Sequence, residues 1–455
     1  MHAKLAKRMV SLATAVIILS TLLIGCGGGA EEASNENSTK ENVSAATANN
    51  EKTQDTEKTA EKKPVDFWYL WGGAEQPRVE SFISAFNESQ KEYEVKGLYI
   101  ADMQKVKVAI AGGTGPDITD DFDGNVASYA EEGILEPLDS YIERDGVKFD
   151  DYVSGVLDTC KYNGKIYALP AGVTFFMLYY NKALLEKAGY KEPPKTQTEL
   201  LEMSIKTTEL EADQSIKVLG FPDFPYVYYL KNFVFASGGQ FYDGSGRFTP
   251  DHPAVLSAVN MMIEYRKKFG VDNVLKFNQA GKVNEATDPF ITGNQVFRVD
   301  GLWLANAIIN ELKIGKEQLD FGICPIPYPE GKPELANSAQ ITSSIFYIPS
   351  NAKNKEGAWE LMKFIHTGEF NKYMQSLPVV KSLMGDAAFK DIPRFSDFAE
   401  FAKVGKFAAL PANSKAVEIF KLFDDQVELA VTLKKTPEEA LKEAAEKGNE
   451  ILGNQ

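Results

Sequence analysis

Histidine and cysteine are scarce in this chain, three of each, and that scarcity removes whole classes of chemistry. His2 stands in a basic N-terminal head, His252 precedes Pro253 at a helix start, and His366 follows Ile365 at a helix end. The last two read as capping or surface residues rather than as general bases. No His pair or Cys/His cluster has the spacing of a zinc site, so neither metal nor cofactor is expected. The glycine-rich stretch Ala111-Gly-Gly-Thr-Gly-Pro-Asp117 lacks the Lys-Ser/Thr of a phosphate loop and the third Gly of a dinucleotide turn. Asp121-Phe-Asp123-Gly124 fails as a calcium loop, because that register would need ligands at Thr119 and Ala130. Asp243 stands where a serine nucleophile elbow would carry its first Gly, before Ser245. No catalytic residue is assigned. Two carboxylates at glycosidase separation remain open in a chain with 64 Asp and Glu. The net charge of −15, with no Lys/Arg-rich run, argues against nucleic acid and against an electrostatically held membrane surface.

Long apolar runs are also missing, with one exception. After His2, Lys4, Lys7 and Arg8, no charge appears until Glu31, and Met9–Ile24 is apolar throughout apart from a few hydroxyls. That is the layout of a secretory signal. An uncleaved spanning helix is the alternative, but the run is near the ~17-residue lower limit for crossing a bilayer. Leu23-Ile24-Gly25-Cys26 resembles a bacterial lipobox, which implies cleavage after residue 25, lipidation of Cys26 and an anchor on the outer side of the cell membrane. Residues 26–63 carry Val43 as their one apolar side chain larger than Ala. Such a segment cannot bury enough surface to offset its ordering entropy and reads as a tether spanning roughly 35 Å. Cys160 and Cys324 remain, and their spacing does not decide whether they pair.

From Pro64 on, the composition is globular. Val65–Leu70 reads as a buried strand, and Val79, Phe82, Ile83 and Phe86 recur at helical spacing after it. Tyr93–Ile100, a helix through Met103, Val106 and Ile110, and a short strand at Pro116–Thr119 complete a β-α-β-α-β opening, which implies a largely parallel sheet with helices on its faces. Asn163-Gly164 is a two-residue hairpin signal. Thr196/Glu199 and Thr436/Glu439 have capping-box spacing. Aromatic and polar residues then recur where strands end: Trp71, Asp121, Asp123, Thr174 to Phe176, Asp223 to Tyr228, and Asp300-Gly-Leu-Trp303. Ligands of open α/β sheets bind beyond the carboxyl ends of strands. Sugars suit such a lining, with C–H faces on aromatic rings and hydroxyls on carboxylates and amides. Trp68, inside the first strand, reads as core, and Trp303 as a cleft residue.

Several landmarks together resemble the extracellular solute-binding proteins of ATP-binding-cassette (ABC) importers, the maltose and oligosaccharide-binding type called family 1. They include Phe67-Trp-Tyr-Leu-Trp-Gly-Gly73, Ala109–Asp117, Tyr129–Leu138, Gly164–Pro170 leading to Leu178–Lys182, Gly293–Trp303 and Ala358–Phe364, in family order over residues 64 to 385. The resemblance implies a periplasmic-binding-protein-like α/β fold of type II. Two lobes are joined by hinge crossovers near Thr174 and near 340–345: residues 64–173 with about 341–377, and residues 174–340 with about 378–455. It implies ligand contacts at Asp121 or Asp123, at Thr174, at Tyr226 or Tyr228, and at Trp303, while Trp71, Phe175 and Asp223 are candidates from their strand-end and loop positions alone. The expected function is capture of a carbohydrate by hinge closure and delivery to a permease, as a monomer without enzymatic activity. A surface glycan-processing enzyme and a sensory or structural lipoprotein are the alternatives. Ala339–Ser344 replaces the family's glycine-rich stretch, and Thr174 replaces an acidic residue of some members, so the identity of the sugar does not carry over.

Overall fold

A computed structural model of the chain describes residues 61–225 and 228–453. The apolar run, Cys26 and nearly all of the tether lie outside them, as does Tyr226. Among the described residues no helix is long and apolar enough to cross a membrane.

The opening strand, Lys63–Tyr69, alternates as its sequence demands, with Val65, Phe67 and Tyr69 buried on one face and Trp68 packed, half-buried, on the other. It lies at the centre of a parallel trio with Tyr93–Tyr99 and Ile118–Phe122. Ser344–Tyr347 then adds antiparallel to Ile118–Phe122, and Leu169–Pro170 closes the far edge. The returning strand feeds both faces of this five-stranded sheet, Phe346 and Ile348 to one core and Ile345 and Tyr347 to the other. Pro77 in its first turn starts the helix Gln76–Ser89, which buries Val79, Phe82, Ile83 and Phe86 at the predicted spacing. Each such burial contributes roughly 1.5–3 kcal/mol, offset by the entropy of ordering the segment.

The second lobe is built on a smaller antiparallel sheet, Phe297–Asp300, Met177–Asn181 and Phe321–Cys324. Leu178 faces one core, and Met177 and Tyr179 face the other. The Thr196–Glu199 and Thr436–Glu439 capping boxes both form, starting the helices Gln197–Thr207 and Pro437–Ile451. His252 caps the helix Pro253–Phe269, its Nδ1 accepting from the Ala254 N–H at 3.1 Å. His366 ends the helix Lys355–Ile365, with ring nitrogens 2.7 Å from the Met362 carbonyl and 3.1 Å from that of Pro170. The hairpin at Asn163-Gly164 forms with both residues at positive φ, 48° and 78°, as a type I′ turn requires, but its arms are only two residues long. Cys160, fully buried, and Cys324 are free thiols.

Between the lobes three chain segments run side by side. Val173 N–H donates to the Leu377 carbonyl at 2.9 Å, and Thr174 and Thr342 exchange backbone hydrogen bonds at 2.9 Å each way. Ser343 Oγ donates to the Gly172 carbonyl at 2.7 Å. A Cβ at Gly172 would lie 2.8 Å from the Leu377 carbonyl oxygen, so the crossing needs glycine there for close approach. The three segments thus meet at Gly172–Thr174, Thr342–Ser343 and Leu377.

Candidate functional site

Both lobes and all three crossings contribute to one cavity of about 520 Å³. From the five-stranded sheet come Trp71, just past the first strand, Glu75 and Arg78 at the start of the following helix, and Phe122 at the end of its strand. The smaller sheet's side supplies Phe176, Tyr228, Trp303 and Glu311, and the floor is made by Ala171–Phe175, Thr342–Ser344 and Gln375–Leu377. The walls are mainly aromatic. Trp71 is held by Phe370 at 5.2 Å and Phe346 at 5.7 Å between ring centroids. Opposite, Phe176 packs on Tyr228 at 5.0 Å and edge-on to Trp303 at 5.5 Å.

Trp303 is positioned by a buried scaffold. Arg298 lies between two carboxylates, Nη1 donating to both oxygens of Asp288 at 2.9 Å and Nε to Asp300 at 2.9 Å, with all three side chains fully buried. Burial pushes the Asp300 carboxyl up and the Arg298 guanidinium opposes that rise. Burial likewise works against the charge of Arg298, but Asp300 and Asp288 more than offset it. Asp300 also accepts from the Gly301 N–H at 2.8 Å, and the Tyr179 hydroxyl donates to the Gly301 carbonyl at 2.7 Å. Gly301 is thus clamped from both sides, and the indole of Trp303 folds back over it. A Cβ there would sit 2.2 Å from the Trp303 ring.

The remaining polar lining gathers at one end. Arg78 Nη2 lies 3.3 Å from Glu311 Oε1, an ion pair between helices of opposite lobes. Asn306 Nδ2 donates to the same oxygen at 3.0 Å. Glu75 has no side-chain hydrogen bond to any described residue. Burial pushes its carboxyl up, Arg78 pulls it down and Glu311 adds to the rise. Among the described residues no group of three His, Cys, Asp or Glu could hold a metal ion.

Of the residues singled out from sequence, Trp71, Thr174, Phe175, Tyr228 and Trp303 border this cavity. Phe175 does so only at its edge, because its ring is 1% exposed and packs on Phe398, Phe401 and Phe407. Phe176, the next residue, presents the aromatic surface. Three acidic candidates lie elsewhere. Asp121 faces the sheet's buried layer, accepting from Phe122 N–H at 2.7 Å and Asn125 Nδ2 at 3.0 Å. Alternation along the strand sends Phe122, 61% exposed, to the cavity instead. Asp123 accepts from Thr342 Oγ1 at 2.8 Å and Ser343 N–H at 2.9 Å, tying the strand end to a crossing and bordering a separate recess of about 200 Å³. Burial raises its carboxyl to about 6 against those donors. Asp223 is fully buried in a two-pronged pair with Arg266, at 2.8 and 2.7 Å, and accepts from Asn278 Nδ2 at 2.8 Å, so a buried cation takes it out of reach of a solute. Tyr226 lies outside the described residues. Glu75 and Arg78 were missed although they follow a strand end and a Gly-Gly turn, the place the strand-end rule indicates. Glu311, more than 230 residues away in sequence from Arg78, carried no local signal.

The sequence profile of the bacterial extracellular solute-binding proteins matches residues 72–367. The chain belongs to that family. A relative from Escherichia coli K12, the sn-glycerol-3-phosphate-binding periplasmic protein UgpB, is 23% identical over 417 residues, covering 85% of this chain and 92% of that protein. Among solved structures, CpMnBP1 with mannotriose bound superposes with a TM-score of 0.73 at 24% identity, over 85% of this chain and all of that one. Lmo0181 from Listeria monocytogenes, an ABC substrate-binding protein in complex with cycloalternan, gives 0.71 at 20% identity, over 87% and 100%. The fold of this family member is therefore the type II periplasmic-binding-protein fold, two α/β lobes with several crossovers and a cleft between them.

Proposed function

We propose that this solute-binding protein captures a neutral carbohydrate, an oligosaccharide, by closing its lobes, and hands it unaltered to the permease of an ABC importer. The observation that carries the reading is the cavity itself, whose aromatic walls come from both lobes and whose floor is the crossings. A solute there touches both halves at once, and only an interaction present in the closed form can shift the population toward it. Aromatic rings on opposite walls with few placed polar groups suit sugar faces. The names of structural neighbours point the same way, since they are complexes with mannotriose, cycloalternan and maltose. The lobe boundaries we propose are residues 64–173 with 341–377, and 174–340 with 378–455. Trp71, Thr174, Tyr228 and Trp303 are the proposed ligand contacts, with Phe176 added to them.

We further propose that the protein works at the outer face of the cell membrane, anchored through lipidated Cys26 and a tether, as a monomer. Replacing Cys26 with Ala should move the protein from the membrane fraction to the medium or periplasm; unchanged fractionation would remove the anchor from the account. The capture reading is tested by thermal shift against mono- and oligosaccharides, since a ligand at 100 times its Kd stabilises by roughly 2.7 kcal/mol. Chromatography of the recovered sugar separates binding, which returns it intact, from processing, which does not.

A further inference from the structure

The cavity's polar end has a charge pattern that a neutral stacking site does not need. Its charged lining is two carboxylates, Glu75 and Glu311, against one guanidinium, Arg78. Arg78 sits on a helix whose apolar face belongs to the five-stranded sheet. Glu311 ends a helical segment whose Leu302, Leu304 and Ile308 pack with the smaller sheet. The 3.3 Å contact between them is therefore an interlobe contact, and Asn306 steadies Glu311 from its own side. Glu75 holds the N-cap position of the Gln76–Ser89 helix but makes no side-chain cap, and its carboxylate stays on the cavity lining.

We propose that the Arg78–Glu311 pair is a charge filter across the lobe interface, admitting neutral solutes and rejecting those that bear phosphate or carboxylate. An anion entering this end competes with Glu311 for the one cation, breaks a contact between the lobes, and meets Glu75 as an unneutralised like charge. A neutral sugar leaves the pair in place, and Glu75 then serves as an acceptor for a hydroxyl. The inference rests on the cavity being the solute site, and it separates this chain in specificity from its glycerol-phosphate-binding relatives.

Calorimetric titration of the purified protein with sn-glycerol 3-phosphate and, separately, with mannotriose tests it. The wild type should give no measurable heat with the phosphate. E311Q, which frees Arg78 and removes one negative charge, should bind it at least about tenfold more tightly, a change of 1.4 kcal/mol. R78Q/E311Q should lose that gain, because the cation itself is gone. Melting temperatures establish that each variant is folded, and E311A, which removes the same charge, replaces E311Q if the latter melts early. A wild type that binds the phosphate as tightly as E311Q, or a gain that persists in R78Q/E311Q, overturns the filter. Absence of binding for mannotriose and other neutral oligosaccharides in every variant, with the phosphate arm behaving as stated, would instead sink the carbohydrate reading and leave the filter standing.

Discussion

Two clusters at the cavity, one beneath Trp303 and one on its polar end, each set an arginine among two carboxylates, and they differ in almost everything else. Asp288–Arg298–Asp300 is fully buried, with contacts of 2.7 to 2.9 Å and a further backbone donor on Asp300. Glu75–Arg78–Glu311 is half-open, with one ion pair at 3.3 Å and a carboxylate left over. A buried charge is tolerated only when its partners are complete, and removing one partner strands the rest. A partly solvated cluster tolerates an incomplete set because water supplies the remainder. The closed cluster therefore works as scaffold, fixing the Asp300–Trp303 turn under the cavity. The open one retains unused capacity where a solute would arrive.

That contrast is broken most directly by Asp300→Ala. It leaves Arg298 buried with a missing partner and should cost about 3–5 kcal/mol of stability in urea unfolding; a loss under about 1 kcal/mol would mean the buried cluster is not scaffold. Trp303→Ala keeps the cluster and removes only what it positions, so folding should be unchanged while affinity for a bound oligosaccharide falls by about 1–3 kcal/mol. Gly301→Ala, which pushes on the same indole, should imitate it. Asp123 lies between the extremes. Its carboxyl is raised from 3.8 to about 6, so the native state holds that proton more tightly than the unfolded chain does. The stability it contributes is complete below about pH 4 and is lost as pH rises through about 6, a fall of about 3 kcal/mol that Asp123→Asn should flatten. The smallest effect belongs to Arg78→Gln, worth about 0–1 kcal/mol of stability and less in high salt. A larger loss would place that arginine with the scaffold after all.

Local patterns carried much of the secondary structure in both lobes. The Val65/Phe67/Tyr69 alternation, the four-residue stripe of the Gln76–Ser89 helix and both capping boxes each depend on neighbours within a turn or two, so the sequence displays them directly. Strand ends were legible in the same way, which is why Trp71, Thr174 and Trp303 fall on the cavity. What a strand-end carboxylate does was not legible, because its fate depends on partners distant in sequence. Asp223 is taken by Arg266, 43 residues on, and Asp123 by Thr342, 219 residues on. Asp121 was lost to a parity of one residue, since on a strand the neighbour faces the opposite way. The Arg78–Glu311 pair needs both lobes in place before it exists at all.

The central claim is that two lobes shut on a solute held between Trp71 on one side and Phe176, Tyr228 and Trp303 on the other. Small-angle X-ray scattering of the purified protein tests it, with and without a saturating amount of whichever neutral oligosaccharide gives the largest thermal shift. The account predicts a smaller radius of gyration with the sugar and a return to the larger value in Trp303→Ala at the same sugar concentration. Saturation by the sugar with no change in scattering from an open unliganded form would contradict it.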